Sequence, residues 1–326
     1  MKVAELENDI LVVKTRENET LNGRTGAIVK VLGCGLCGSD IVKLKQHLVK
    51  NGTVLGHEIV AQIVEINSAT DFKVDDVIVT SHHIPCGKCE YCKNGNVSMC
   101  RHFKETNIRP GGFSEFVYVS EEHLQNVAYL KPQNLTNIEA SFYEPLGCCV
   151  RAVKRAGLKE NSTALVIGLG SVGILMAQAL KAFGMNVIGC DLISSRVELL
   201  KNLGIEAFRV PEMCDSIKAD GIFMTSGSDK AIDTALKFVR DGGKILVFSS
   251  TPNNFGYANN EIYYRELTVL GSYSPSPADL KDSLNLLTNK EVKVQGLSTE
   301  YPLEKVQKAI NDTVENKIMK AYIKIN

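Results

Sequence analysis

An excess of charge of either sign is missing from this sequence. Lysine and arginine together number 37, as do aspartate and glutamate, so the formal net charge is zero. Proteins that bind nucleic acid usually carry a basic excess or a basic stripe. Neither that excess nor a long run of lysine or arginine is present here, so we expect no nucleic-acid partner.

Long apolar runs are missing as well. No window of the sequence approaches the roughly 18 uninterrupted apolar residues of a membrane-spanning helix. The opening residues, MKVAELE, are acidic where a secretory signal needs an apolar run. We therefore expect a cytoplasmic protein with no membrane partner. In that reducing compartment the ten cysteines are not expected to form disulfides, and tight clusters among them indicate metal ligands.

The pattern of predicted strands and helices changes near the middle of the chain. A chain of 326 residues suits two domains, at roughly 150 residues for each. Up to about Val119, short β-branched runs separated by Gly, Asn and Asp predict an all-β or barrel-like module. From about Asn161, strand and helix patterns alternate, with Asn186 to Asp191 among the predicted strands. This alternation is typical of a parallel sheet with crossover helices.

Four cysteines are clustered in the segment PCGKCEYCKNGNVSMC; they are Cys86, Cys89, Cys92 and Cys100. This spacing allows one loop to close around a tetrahedral ion, and four thiolates with no open coordination position make a structural zinc site. Lys88 and Glu90 mark the loop as exposed, and free thiols in an exposed loop would oxidise. By ligand type alone, an iron–sulfur cluster is the alternative.

A second set of possible ligands is spread along the chain: Cys37 in GLCGSD, His57 and Glu58 in VLGHE, and Glu144 in YEPLG. A thiolate, an imidazole and a carboxylate, with one position left to water or substrate, have the composition of a catalytic zinc site. Zinc there would polarise an alcohol oxygen and lower its pKa. Each residue alone also has a purely structural interpretation, but their combination ahead of a nucleotide-binding unit favours catalysis.

The segment ALVIGLGSVG predicts that nucleotide-binding unit, because an apolar strand runs into a glycine-rich turn and then a helix. Gly168 permits the tight turn, Gly170 lets the backbone approach a pyrophosphate, and Gly173 lets helix and strand pack closely. The predicted helix runs from Val172 to Phe183, directly after Ser171, and the amides at its N-terminus can bind the phosphates. The segment therefore predicts a bound dinucleotide.

Two residues at and just after the end of the next predicted strand bear on the choice between NAD and NADP. Asp191 ends that strand, and a carboxylate there hydrogen-bonds the ribose hydroxyls and repels a 2′-phosphate, which favours NAD over NADP. Asp191 also has an alternative interpretation as a helix cap. Arg196 lies close by in the sequence and can accept that phosphate.

With these elements in order, the chain resembles the medium-chain zinc dehydrogenases, and within them the sorbitol and threonine dehydrogenase branch. The matching motifs run from Leu36 to about Tyr273 and are GLCGSD, GHE, the cysteine quartet, PGGFSEFV, EPLG, GLGSVG and YYRELTVLGSY. The resemblance implies an α/β fold with two domains. A GroES-like β-barrel catalytic domain would comprise residues 1–145 and 275–326, and a Rossmann doubly wound parallel-sheet domain would comprise residues 146–274.

The resemblance also implies roles for the dispersed residues. Cys37, His57 and Glu58 would hold the catalytic zinc, and Glu144 would be either a ligand or a partner of the zinc-bound water. Ser39 would pass the substrate proton onward. A glutamate in EPLG, where alcohol dehydrogenases of the family carry cysteine, points to the polyol branch.

One loop departs from the family pattern. Many relatives have a histidine five residues beyond the zinc cysteine, where this chain has Val42, and the interval from Cys37 to His57 is shorter than usual. This loop helps to line the substrate pocket in the family. The favoured interpretation of His47 is a solvated histidine of this loop, and the alternative is that it replaces the missing histidine.

These observations predict a zinc-dependent oxidoreductase that transfers a hydride between a secondary alcohol and NAD. A polyol, sugar alcohol or cyclitol is the expected substrate. One alternative is a threonine or amino-alcohol 3-dehydrogenase, and another is a non-catalytic sensor that binds zinc and a dinucleotide. The resemblance further implies a homodimer or homotetramer, with a strand near Leu267 to Ser272 as the edge for pairing.

Overall fold

The computed structural model describes residues 1–250, 256 and 258–326. Two compact units make up the chain. The first unit comprises Met1–Pro145, Ser276–Thr288 and Val294–Asn326. The second comprises Leu146–Pro275 and Asn289–Lys293.

The strands of the described residues are numbered here in chain order. They are β1 (Lys2–Glu7), β2 (Ile10–Thr15), β3 (Gly26–Gly35), β4 (Glu58–Asn67), β5 (Val77–Thr80), β6 (Phe116–Ser120), β7 (Ala128–Leu130), β8 (Thr163–Ile167), β9 (Asn186–Asp191), β10 (Glu206–Arg209), β11 (Ala219–Met224), β12 (Val239–Val247), β13 (Thr268–Gly271), β14 (Ser298–Pro302) and β15 (Lys320–Lys324).

The α-helices are numbered in the same way. They are α1 (Gly38–Lys45), α2 (Glu90–Lys93), α3 (Arg101–Glu105), α4 (Glu121–Asn126), α5 (Asn137–Ala140), α6 (Tyr143–Ala156), α7 (Ser171–Ala182), α8 (Ser194–Asn202), α9 (Asp229–Phe238), α10 (Asn259–Tyr264), α11 (Pro277–Thr288) and α12 (Val306–Val314). None of these helices combines the length and the apolar content that crossing a bilayer requires.

The first unit is built around β3. This strand pairs antiparallel with β4, β6 and β15 in a seven-stranded sheet, and most of its residues are buried. Strands buried along nearly their whole length have neighbours on both faces, which fits the mostly apolar sequence of β3, where Lys30 is the charged exception. A separate hairpin joins β1 to β2. Asn8 and Asp9 turn it with φ values of 48° and 68°, as a two-residue hairpin turn of the primed type requires.

The prediction of an all-β module up to Val119 is incomplete, because α1, α2 and α3 lie in this part of the chain. Helix α1 begins with a capping box, in which the Cys37 thiol accepts a hydrogen bond from the backbone and Asp40 bonds back to the Cys37 amide. Such a box satisfies amides at a helix start that have no partner within the helix. A short helix capped in this way carries too little apolar periodicity to be recognised in the sequence.

The second unit contains a six-stranded sheet in which every neighbouring pair is parallel. Its strand order is β10-β9-β8-β11-β12-β13, the order of a Rossmann fold. Strand β9 spans Asn186–Asp191, as predicted. Four of the five residues of β8 are buried, as expected for a strand covered by helices on both faces. The predicted α/β class and the parallel sheet are therefore confirmed.

Candidate metal centres and nucleotide-binding loop

The four cysteines of the quartet converge in one loop of the first unit. Their ligand atoms all lie within 4.8 Å of one another, and the sulfurs of Cys89 and Cys92 are 3.6 Å apart. Two backbone amides donate to sulfurs, that of Cys86 to Cys100 at 3.5 Å and that of Cys89 to Cys86 at 3.4 Å. Four thiolates this close repel one another unless a cation is bound, so the loop fits a tetrahedral metal ion.

Three of the dispersed residues also come together. Cys37 precedes α1, His57 precedes β4, and Glu58 is the first residue of β4. The ligand atoms of these three side chains lie within 4.8 Å of one another. His57 and Glu58 are 6% and 1% exposed. A thiolate, an imidazole and a carboxylate therefore converge, which is the donor set of a catalytic zinc site.

A second group shares His57 with the first. The ligand atoms of His57, His82 and Glu144 lie within 4.8 Å of one another, and all three residues are buried. Glu144 lies in the first turn of α6. The His82 ring lies 4.4 Å from the His57 ring, centroid to centroid. Burial first, and then the charge of His57, lower the pKa of His82 well below its ordinary value, so this imidazole is neutral.

Asp40 orients the His57 ring. Its Oδ1 lies 3.5 Å from His57 Nδ1, and its Oδ2 accepts from the Cys37 amide at 3.3 Å. This contact leaves Nε2 of His57 for a metal, in the carboxylate–histidine–zinc arrangement common at zinc sites. Burial opposes protonation of His57, but Asp40 and Cys37 outweigh it and raise its pKa well above the ordinary value. The site therefore favours a positive charge, which a metal ion supplies.

Lys320 of β15 neutralises one oxygen of Glu58. Its Nζ lies 2.5 Å from Glu58 Oε2, and the two side chains are 6% and 0% exposed. The same Nζ donates to the Leu36 carbonyl at 3.0 Å. Glu58 Oε1 is buried and has no hydrogen-bond partner among the described residues. Buried polar atoms are nearly always paired, so this oxygen fits a metal ion at the site.

The glycine-rich segment of the second unit forms a loop between β8 and α7. Gly168 has a φ of +92°, which other residues adopt only with strain. A Cβ on Gly173 would collide with the Gly168 carbonyl oxygen, whereas a Cβ on Gly170 would meet nothing within 4 Å. The loop therefore needs glycine at its two ends and leaves open space at Gly170, where a pyrophosphate is expected. Ser171 and Val172 are the first two residues of α7.

Asp191 holds this loop through its carboxylate. Its Oδ2 accepts from the Leu169 amide at 2.6 Å, and its Oδ1 accepts from the Ile193 amide at 2.8 Å. Arg196 Nη1 lies 3.6 Å from Asp191 Oδ2. The carboxylate is 7% exposed at its side chain. Asp191 thus caps the turn after β9 and also lies beside the loop where a dinucleotide would bind.

Comparison with known proteins decides the family. A model described as "Alcohol dehydrogenase GroES-like domain" matches residues 23–129, and one described as "Zinc-binding dehydrogenase" matches residues 171–289. A sorbitol dehydrogenase from Halalkalibacterium halodurans is 30% identical, and the match covers 94% of this chain and 93% of that protein. The chain belongs to the medium-chain zinc-dependent dehydrogenases. The predicted family, the GroES-like domain and the class of zinc-dependent oxidoreductase are confirmed.

Other members of the family are similar along nearly the whole chain. A D-arabitol-phosphate dehydrogenase from Enterococcus avium is 30% identical, with 92% of this chain and 90% of that protein covered. Among solved structures, a zinc-binding dehydrogenase from Sinorhizobium meliloti bound to NADP has a TM-score of 0.87 at 24% identity. That match covers 99% of this chain and 98% of the other. At this identity the structural match shows the shared fold.

Ser39 and His47, two candidates for proton transfer, both follow Cys37 in the sequence and lie at the surface. Ser39 is exposed, and its backbone amide lies 3.5 Å from the Cys37 sulfur. His47 is also exposed, and its Nδ1 lies 2.8 Å from Asp9 Oδ1. Because the Asp9 contact occupies His47 at the surface, nothing in this geometry supports His47 as the replacement for the missing family histidine.

Three residues around the site of Cys37, His57 and Glu58 were not predicted from the sequence. Asp40 could have been found, because it stands three residues after Cys37, at the spacing of a capping box. His82 could have been found as a histidine four residues before the first cysteine of the quartet. Lys320 gave no signal, because a lysine beginning a strand near the end of the chain is indistinguishable from a surface lysine.

Removal of one quartet ligand tests the structural role of that loop. We expect Cys89→Ser to lose about one zinc ion per chain and to lower the free energy of unfolding by about 3 kcal/mol or more, because structural zinc contributes folding energy. Metal analysis and thermal unfolding measure both effects. Cys214→Ser is the control, since Cys214 is exposed and contacts Ser216. Unchanged zinc content in Cys89→Ser would contradict the assignment.

Proposed function

We propose that this dehydrogenase oxidises a secondary alcohol group of a polyol or sugar alcohol and transfers the hydride to NAD. The observation that carries the proposal is the convergence of Cys37, His57 and Glu58, with ligand atoms within 4.8 Å of one another. The similarity to a sorbitol dehydrogenase and to a D-arabitol-phosphate dehydrogenase supports a polyol as the substrate class.

The buried residues provide the metal-binding groups. Cys37 and His57 would hold the zinc ion, with Glu58 or Glu144 as the third protein ligand. When bound, zinc acts as a Lewis acid that lowers the pKa of the substrate alcohol. Asp40 keeps the His57 ring in its orientation through the 3.5 Å contact. Ser39, whose side chain is exposed next to Cys37, is the candidate acceptor of the substrate proton.

The two carboxylates differ in their surroundings. Glu58 Oε2 is paired with Lys320 at 2.5 Å, whereas Glu58 Oε1 is buried without a hydrogen-bond partner among the described residues. Glu144 belongs instead to the group with His57 and His82, whose ligand atoms lie within 4.8 Å of one another. We assign Glu58 Oε1 as the third protein ligand, because a metal there would satisfy an otherwise unpaired oxygen. Glu144 then lies where it can contact the substrate or its bound water.

The residues of the second unit would bind the dinucleotide. We propose residues 146–274 as the NAD-binding domain and residues 1–145 and 275–326 as the catalytic domain. Gly168, Gly170 and Gly173 would receive the pyrophosphate at the start of α7, together with the amides of Ser171 and Val172. Asp191 would bind the ribose hydroxyls.

The cofactor choice can be tested at Asp191. We expect Asp191→Ser to lower the ratio of kcat/KM with NAD to kcat/KM with NADP by about tenfold or more, because the repulsion of the 2′-phosphate is removed. Adding Arg196→Ala to that variant is expected to reduce the use of NADP again, since Arg196 would bind the phosphate. An unchanged ratio in Asp191→Ser would show that another residue selects the cofactor.

A purified, zinc-loaded protein tests the reaction itself. Incubated with NAD and a panel of polyols, amino alcohols and simple alcohols, it is expected to produce NADH fastest with a polyol. The amino alcohols in the panel test the alternative of a threonine or amino-alcohol dehydrogenase. Protein stripped of zinc by a chelator is the control. Absence of NADH with every alcohol would refute the proposal and favour a non-catalytic sensor.

We propose a homodimer or homotetramer that forms through β13. Among the described strands, β13 ends the order of the parallel sheet, and Val269 and nearby Tyr273 are 36% and 62% exposed. An exposed sheet edge can pair with the same edge of a second chain. Light scattering is expected to give a multiple of the mass of one chain, and Val269→Lys is expected to reduce it. A wild-type monomer would refute this arrangement.

We also propose a cytoplasmic location. The exposed Cys214 carries a free thiol, and free thiols are typical of a reducing compartment. Fractionation of the source cells is expected to place the protein with cytoplasmic markers, and recovery with secreted proteins would contradict this.

A further inference from the structure

His82 is a buried imidazole beside the metal-binding residues, and the chemistry proposed above does not use it. Its side chain offers a ligand atom within 4.8 Å of those of His57 and Glu144. Cys37 belongs to the other group around His57. His82 therefore lies close to Glu144, the residue assigned to the substrate.

The position of the His82 ring is fixed by its neighbours. The ring contacts those of His57 and His83, with centroid distances of 4.4 Å and 3.9 Å. His123 Nε2 lies 3.0 Å from the His82 carbonyl oxygen, and His123 Nδ1 lies 2.7 Å from the Ser120 hydroxyl. A side chain held in this way loses little freedom when it binds a ligand.

One nitrogen of this ring has no hydrogen-bond partner. His82 is 9% exposed, and its Nδ1 is fully buried without a partner among the described residues. His83, in the same loop, differs because its Nδ1 contacts the Thr106 carbonyl oxygen at 2.5 Å. Buried polar atoms are normally paired with protein, water or a ligand. An unpaired nitrogen on a buried ring close to Glu144 points to a bound molecule as the missing partner.

We propose that His82 determines specificity by hydrogen-bonding a second hydroxyl group of the substrate, on the carbon next to the one that is oxidised. The proposal rests on the proposed oxidation of polyols. A neutral imidazole both donates and accepts hydrogen bonds, as a hydroxyl group does. A simple alcohol leaves the buried nitrogen unpaired, so the site discriminates against it.

A pair of alcohols that differ by one hydroxyl group tests this role. The zinc-loaded protein with bound NADH is titrated with butane-2,3-diol and with butan-2-ol, and the fluorescence of the bound NADH reports binding. We expect the wild-type protein to bind the diol about tenfold more tightly than the mono-alcohol, as expected for one added hydrogen bond. Because no turnover is needed, this test can fail independently of the proposed oxidation.

Three variants separate the hydrogen bond from other effects. His82→Phe keeps a flat ring and is expected to bind both alcohols equally. His82→Asn places an amide near the position of Nδ1 and is expected to restore part of the preference. His83→Phe alters the neighbouring ring of the same loop and is expected to keep the tenfold preference.

Metal content distinguishes this role from metal ligation. We expect His82→Phe to retain the zinc content of the wild-type protein and, after exchange with cobalt, its absorption spectrum. Loss of zinc or an altered cobalt spectrum would show that His82 is a ligand and would overturn the proposal. It is also overturned if the wild-type protein shows no preference for the diol, if His82→Phe keeps that preference, or if His83→Phe loses it equally.

Discussion

Cys37→Ser is expected to abolish alcohol oxidation without unfolding the protein. The thiolate of Cys37 is the sulfur donor of the proposed catalytic centre, and a serine hydroxyl is a much poorer zinc ligand at neutral pH. The Lewis acid would be lost with the metal, so we expect kcat/KM to fall by about a thousandfold or more. Serine is a good helix N-cap, so it can replace the thiol at the start of α1, where Cys37 accepts from the Ser39 amide.

Metal analysis and thermal unfolding check this expectation together. The wild-type protein is expected to hold about two zinc ions per chain, one in each site. Cys37→Ser should keep about one, with a melting temperature close to that of the wild-type protein without its catalytic zinc. Cys89→Ser is the opposite control, because it removes the other ion and lowers stability. Full activity in Cys37→Ser would disprove the assigned catalytic centre.

Lys320→Met is expected to destabilise the protein more when zinc is absent than when it is bound. Burial disfavours the charged amine, but Glu58 outweighs it and raises the pKa of Lys320 above its ordinary value. Removing one partner of a buried pair leaves an uncompensated charge, which costs about 3–5 kcal/mol. A zinc ion at Glu58 supplies a second positive charge, so we expect a smaller loss of stability in the zinc-loaded variant.

Denaturant unfolding of the metal-free and zinc-loaded forms measures the two losses. The double variant Lys320→Met and Glu58→Gln is the control, since replacing both members of a buried pair is often close to neutral. We expect it to regain most of the stability of the metal-free protein. Equal losses with and without zinc would indicate that Lys320 acts through packing alone and that Glu58 is not near the metal.

The sequence predicted best those features that depend on a few neighbouring residues. The cysteine quartet lies within one short segment, so its convergence follows from spacing alone. The glycines of GLGSVG likewise act within a single turn, where Gly168 has a positive φ and Gly173 lies against the preceding carbonyl. Strand β9 was predicted at its observed bounds because its apolar run ends at a charged residue, Asp191.

Long-range contacts of residues outside the recognised motifs could not be predicted from the sequence. Glu58 and Lys320 meet because β15 pairs with β3 and β3 pairs with β4, a register that no local pattern encodes. His82 lies beside His57 and Glu144 because of the same folding of distant segments.

The sequence by itself thus determined the family and the parallel-sheet unit, and it predicted the metal-binding and nucleotide-binding residues. Each of these depends on short motifs that can be recognised from a few neighbouring residues, even where the motifs lie far apart in the chain. Only the tertiary structure decided which buried charge neutralises Glu58, which carboxylate orients His57, and which imidazole near Glu144 has a buried nitrogen without a partner among the described residues. The physical reason is that burial and pairing depend on strand register and packing between segments far apart in the chain, and these determine the electrostatic surroundings of a metal site.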